Sequence, residues 1–102
     1  MTRKISISKL PDFDLAEHIR NEEDIAAYLT LVIGEGDPSE LAHALGIVAR
    51  ARGMTEIARA SGLTREALYK ALRPGADPRF DTVSRVCEAL GVKLVAQPLH
   101  SA

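Results

Sequence analysis

Apolar positions along the chain fall into short stretches of helical period separated by glycine- and proline-rich breaks. Ile25, Leu29 and Val32 recur at helical spacing to about residue 33. Asn21 precedes them as an N-cap. Glu22, Glu23 and Asp24 occupy the first turn, where acids favour the positive end of the helix dipole. The run Gly34-Glu35-Gly36-Asp37-Pro38 breaks the pattern. Ser39 is the expected cap of the next helix, with Leu41, Leu45 and Val48 as its inner stripe and Gly53 at its end. Two short helices follow, over about 54–61 and 65–73, with only Gly62, Leu63 and Thr64 between them. Pro74, Gly75 and Pro78 mark a loop. Asp81 is the expected cap of a last helix with Val83, Val86, Cys87 and Leu90 inward and Gly91 at its end. At the margins, Phe13, Leu15 and Ile19 support a short helix over 12–20, residues 4–8 alternate like a short strand, and 92–97 read as a strand stopped by Pro98. The pattern predicts an all-α fold with an N-terminal helical extension over 1–36, a main helical domain over 37–97 ending in a short strand, and a tail over 98–102.

The segment 54–73, MTEIARASGLTREALYKALR, carries the most specific spacing. Two helices that cross steeply over a three-residue turn need a residue tolerant of positive φ in the turn, and Gly62 supplies it. They need a small residue at the crossing, and Ala58 stands four positions before Gly62. Ile57, Leu63, Leu68 and Leu72 provide apolar inner sides, and Thr64 with Glu66 provides the cap and first-turn acid of the second helix. Taking Arg65 as zero and advancing about 100° per residue, Tyr69 falls near 40°, Arg73 near 80°, Glu66 near 100° and Lys70 near 140°. Ala67, Leu68, Ala71 and Leu72 fall between about 200° and 340°. One face is apolar; the other presents side chains that reach bases or phosphates.

Charge sharpens that picture. The 102-residue chain has a net charge of −1, but residues 1–36 hold four bases and seven acids, a net of −3. Residues 50–79 hold seven bases (Arg50, Arg52, Arg59, Arg65, Lys70, Arg73 and Arg79) and three acids, a net of +4. Phosphate contacts need local positive charge rather than a basic whole chain. With 46% hydrophobic residues the chain can bury a modest core, to which dimerisation would add. The single cysteine, Cys87, excludes an intramolecular disulfide and a cysteine metal cluster, and its apolar stripe makes it a buried core thiol. His18, His43 and His100 are scattered without metal-ligand spacing, so neither a metal, a cofactor nor an enzymatic reaction is expected. There is no run of 18 apolar residues and no apolar stretch in the first fourteen, so a cytoplasmic protein without a membrane segment is expected.

From Leu45 to Gly91, and most specifically over Leu63-Thr64-Arg65-Glu66-Ala67-Leu68-Tyr69-Lys70-Ala71-Leu72, the chain resembles the Xre/Cro-type helix-turn-helix proteins. More narrowly it resembles the addiction-module antidote proteins, or HigA-like antitoxins. The upstream Asp24-Ile25-Ala26-Ala27-Tyr28-Leu29 and Glu35-Gly36-Asp37 match that subgroup too, so the likeness covers about residues 14 to 95. It implies a lambda-repressor-like helical fold, a homodimer on operator DNA, and a partner toxin, usually a small RelE/HigB-like ribonuclease. The antitoxin neutralises the toxin and represses the shared operon. The recognition-helix positions correspond to Thr64, Arg65, Glu66, Tyr69, Lys70 and Arg73. Ala71 departs from the pattern, which has a larger branched residue there, and Ala76-Asp77 stands where Gly-Asn is common.

Within this reading Arg65 is placed to read guanine or to contact a phosphate. Tyr69 is placed to meet a thymine methyl or a phosphate, or to join the core. Lys70 and Arg73 suit phosphates, Thr64 suits a cap, and Arg79 is either a backbone contact or a free loop arginine. Glu17, Glu22, Glu23 and Asp24 are the candidate surface for a basic toxin, the other reading being that 1–36 packs on the domain or builds a dimer. The competing function is a stand-alone Xre-type transcriptional regulator; a third is a protein-interaction module without DNA binding.

Overall fold

The computed structural model describes residues 12–100, and six helices form between residues 12 and 89. They are α1 (Asp12–His18), α2 (Glu22–Glu35), α3 (Pro38–Arg52), α4 (Met54–Ser61), α5 (Arg65–Leu72) and α6 (Phe80–Ala89). The expected strand over 4–8 and the end of the 98–102 tail lie outside these residues. None of the helices is long and apolar enough to cross a membrane.

Local chemistry sets the boundaries. Asn21 caps α2: its side chain accepts from the Asp24 amide at 2.8 Å, and Asp24 Oδ2 accepts from the Arg20 amide at 3.0 Å. Helix α2 runs past the expected end near 33, because Gly34 stays helical and Gly36, at φ 80°, makes the left-handed stop. The cap of α3 is Asp37, not Ser39: Asp37 Oδ1 accepts from the Ser39 amide at 3.0 Å and from its hydroxyl at 2.9 Å. Pro38 explains the shift, since its fixed φ and missing N–H suit the first helical position and move the cap one residue upstream of it. Helix α5 stops at Leu72, and Arg73 is extended at ψ 155°, as a residue before proline prefers. Helix α6 starts at Phe80 behind an extended Arg79, so Asp81 sits inside the first turn and is not the cap.

The expected strand over 92–97 is also absent. The amide of Val92 closes onto the Cys87 carbonyl at 2.9 Å, and residues 93–98 form neither a helix nor a strand. The alternation has a different origin: Val92 and Leu94 are half-buried against the core while Lys93 and Val95 face outward. One strand has no stable existence without a neighbour, and among the described residues no strand is formed to pair with it.

Helix α3 is the centre of the packing. It contacts α1, α2, α4 and α5, while α6 packs on α4. Ala42, Ala44, Leu45, Gly46, Ile47, Val48 and Ala49 are all buried, so nearly the whole circumference of its middle is covered. Small side chains make this possible. At Gly46 a Cβ would lie 3.0 Å from the Leu72 carbonyl oxygen, so the end of α5 rests on bare backbone there. Leu15, Ile25, Leu45, Leu68, Leu72 and Leu90 are the largest fully buried side chains, each contributing about 1.5–3 kcal/mol by its removal from water.

Candidate nucleic-acid interface

Helix α4 ends at Gly62, whose φ of 76° a side chain would resist. The Gly62 amide donates to the Arg59 carbonyl at 3.3 Å and the Leu63 amide to the Ala58 carbonyl at 3.1 Å, which closes the helix end and turns the chain sharply. Thr64 is extended and caps α5, its Oγ1 accepting from the Ala67 amide at 3.0 Å. Ile57, Ala58, Leu68 and Leu72 are buried where α4, α5 and α3 meet, and Leu63 is half-buried. Ala71 is half-buried too, and Ala67 is exposed, so the inner face of α5 is narrower than the sequence pattern.

Arg65, Glu66, Tyr69, Lys70 and Arg73 are all exposed, so the polar side of α5 is open to solvent over two turns. Two of them are joined. Arg65 Nη2 donates to Tyr69 Oη at 3.2 Å, and the guanidinium lies 5.4 Å from the ring centroid. Tyr69 is 39% exposed, which leaves part of the ring against the protein and holds Arg65 along the helix surface. Arg79 is exposed beyond the loop of residues 73–79, which turns through Gly75 at φ 84° with the Ala76 amide on the Arg73 carbonyl at 3.0 Å. Among the described residues no hydrogen bond or ion pair joins Arg79 to the α5 side chains.

Sequence reasoning missed two neighbours. A Cβ at Gly62 would sit 3.6 Å from Arg85 Nη1, so the Arg85 guanidinium lies beside the turn, and Asp81 holds it at 3.4 Å. The i, i+4 spacing of Asp81 and Arg85 was the available signal. Phe80 is 72% exposed at the start of α6, next to Arg79.

The four acids proposed for a protein partner are dispersed. Glu17 is exposed on α1, and Asp24 is half-buried and occupied by the N-terminus of α2. Glu22 and Glu23 are exposed at the start of α2. The Glu22 stem covers Gly91, where a Cβ would come within 2.7 Å of Glu22 Cγ. Among the described residues no three His, Cys, Asp or Glu side chains group to hold a metal. Cys87 is buried, and burial, helped by the negative Glu88, pushes its thiol up to about 11.

Two comparisons bear on identity. Residues 9–98 match the model of a family described as "Probable addiction module antidote protein". A protein of Haemophilus influenzae, described only as uncharacterized, is 45% identical over 89 residues, which is 87% of this chain and 92% of that one. No solved structure matches the chain. The matched span runs through all six helices and most of the segment behind them, and the chain belongs to the addiction-module antidote protein family.

Proposed function

We propose that this chain is the antitoxin of a type II toxin–antitoxin module. It binds and neutralises a RelE/HigB-like ribonuclease and represses its own operon as a homodimer on operator DNA. The observation that carries the DNA-binding part is the open polar face of α5, set by a glycine turn against α4; on this reading the pair acts as a lambda-repressor-like helix-turn-helix. The antidote family carries the toxin part.

In this reading α5 lies in the major groove with its first turn toward the bases. Arg65 presents paired N–H donors to a guanine edge, with Tyr69 restraining its rotamers beforehand so that less freedom is lost on binding. Lys70 and Arg73, one turn further on, meet phosphates, and Arg79 adds a backbone contact. Thr64 keeps the helix start in shape, and Glu66 discriminates by accepting from a cytosine amine or repelling a misplaced phosphate. Two such helices in a dimer read half-sites about one helical turn of DNA apart.

A binding titration over a range of salt, with the DNA upstream of the gene and random DNA as control, tests the reading. Specific binding that weakens steeply with salt is expected. Equal affinity for both DNAs would leave only non-specific attraction, and no binding would remove the repressor role. A chain that binds its operator while the neighbouring reading frame encodes no interacting protein would be the stand-alone Xre-type regulator instead.

A further inference from the structure

A groove of about 440 Å³ runs between α2 and the segment that follows α6. Leu29 and Ile33 line one side; Val92, Leu94, Val95 and Leu99 line the other. Its rim is apolar and uncovered: Val95 is 69% exposed and Leu99 97%. Helix geometry connects it to charge. With Glu22 as zero and about 100° per residue, Leu29, Ile33, Ala26, Thr30 and Glu23 fall between about −20° and 100°. Asp24 and Glu35 fall near 200° and 220°, on the other side. Glu22 and Glu23 therefore stand at one end of the groove, in line with its wall, and α2 contains no base to offset them. Lys93 is the one basic side chain in the lining.

We propose that this groove docks the toxin, receiving an apolar segment that carries lysine or arginine at the end facing Glu22 and Glu23. The inference rests on the antitoxin reading and locates its protein-binding surface. A second copy of this chain is a poorer occupant, because a two-fold contact through this face would bring two acidic α2 helices together. A positively charged partner gains where a copy is repelled. Residues 93–97 belong to no helix or ladder, so their backbone adds groups that a partner strand can pair with. The α5 face is separate, sharing none of the groove residues.

The test uses the full chain and the purified product of the reading frame adjoining its gene, with affinity measured at low and high salt. The substitutions are Leu99→Glu, the double change Glu22→Lys with Glu23→Lys, and Lys70→Ala as a control on α5. Leu99 is almost wholly exposed, so its variant keeps the fold, and thermal midpoints check each protein. Weakening of about tenfold or more in the first two, with less than about twofold in the third, is expected. The charge reversal should also flatten the salt dependence. If the wild-type chain does not bind the neighbour's product, the antitoxin reading itself fails. If it binds and the groove substitutions leave affinity unchanged, the toxin docks elsewhere and only the groove is rejected. If those substitutions instead convert a dimer into a monomer by light scattering, the occupant is a second copy and the proposal is overturned. Residues 1–11 hold Arg3, Lys4 and Lys9 without an acid. A matching loss of thermal midpoint on deleting residues 1–10 and on Leu99→Glu would make the chain's own N-terminus the occupant, which also overturns it.

Discussion

Arg65 and Tyr69 stand one helical turn apart, and their contact decides how sharply the rest of α5 can be aimed. A free arginine loses much rotamer entropy on binding; one already stacked and hydrogen-bonded loses less. Arg65→Ala should weaken specific DNA binding by about 1–3 kcal/mol and relax the preference at a single base pair. A uniform loss across all sequences, read by competition among operator variants, would make Arg65 a phosphate contact. Cys87 gives a second residue-scale expectation. Its thiol is raised from 9.0 to about 11 in the fold. Below pH 9 both states are protonated and nothing is lost. Between about 9 and 11 only the unfolded chain ionises, so stability falls. Chemical denaturation of Cys87→Val should show a stability gain over the parent that grows by about 1–3 kcal/mol across that window. A constant difference would mean that the thiol titrates normally. The side chains on α5 could be read from the sequence because a helical wheel needs only spacing. Arg85 could not, because its place beside Gly62 depends on how α6 crosses α4.

At the scale of the element, caps and closures carry more than propensity. Thr64 supplies a hydrogen bond to an otherwise unpaired amide of α5, and Thr64→Ala should cost about 1 kcal/mol of stability, measured by denaturant midpoint. If the variant keeps full stability but loses DNA affinity, Thr64 acts on the nucleic acid and not on the helix. Gly46 is a stricter case. Its missing side chain admits the backbone of Leu72, and Gly46→Val should overpack that crossing at a cost of about 1–3 kcal/mol. An unchanged thermal midpoint would show that α5 can slide to make room. The six helices were legible because each has its own apolar period and punctuation. The start of α3 was misread because Asp37 and Ser39 are both good caps, and only the proline between them distinguishes the two. The expected strand over 92–97 does not form; half-burial of a segment outside any ladder alternates as a paired strand does.

Over the whole molecule, charge is partitioned: the net of −3 in residues 1–36 falls on α1 and α2 with the segment before them, and the net of +4 in 50–79 on the end of α3, α4, α5 and the loop after it. The two proposed binding faces share no residues and should behave independently. Combining Lys70→Ala with Glu22→Lys should therefore change DNA affinity by the sum of the single effects, within about 0.3–0.5 kcal/mol. Larger coupling would mean that the faces communicate or overlap. The central place of α3 was not visible in its sequence, where Leu41, Leu45 and Val48 suggest a helix covered on one side. Its alanines and Gly46 look neutral in a periodicity plot, yet they let helices approach from several directions.

That shared helix bears on how long the protein lasts. Ile25, Tyr28, Leu29 and Val32 of α2 cover one side of α3, and Leu68 and Leu72 of α5 belong to the same core. A protease that trimmed the chain back to α3 would strip apolar surface from the support of α5, so no half-length remnant should outlive the cut for long. On the function proposed above, repression and neutralisation would then decay with a single half-life. A cell that stopped making the chain would lose both at the same moment, and the operon would be released as the toxin was.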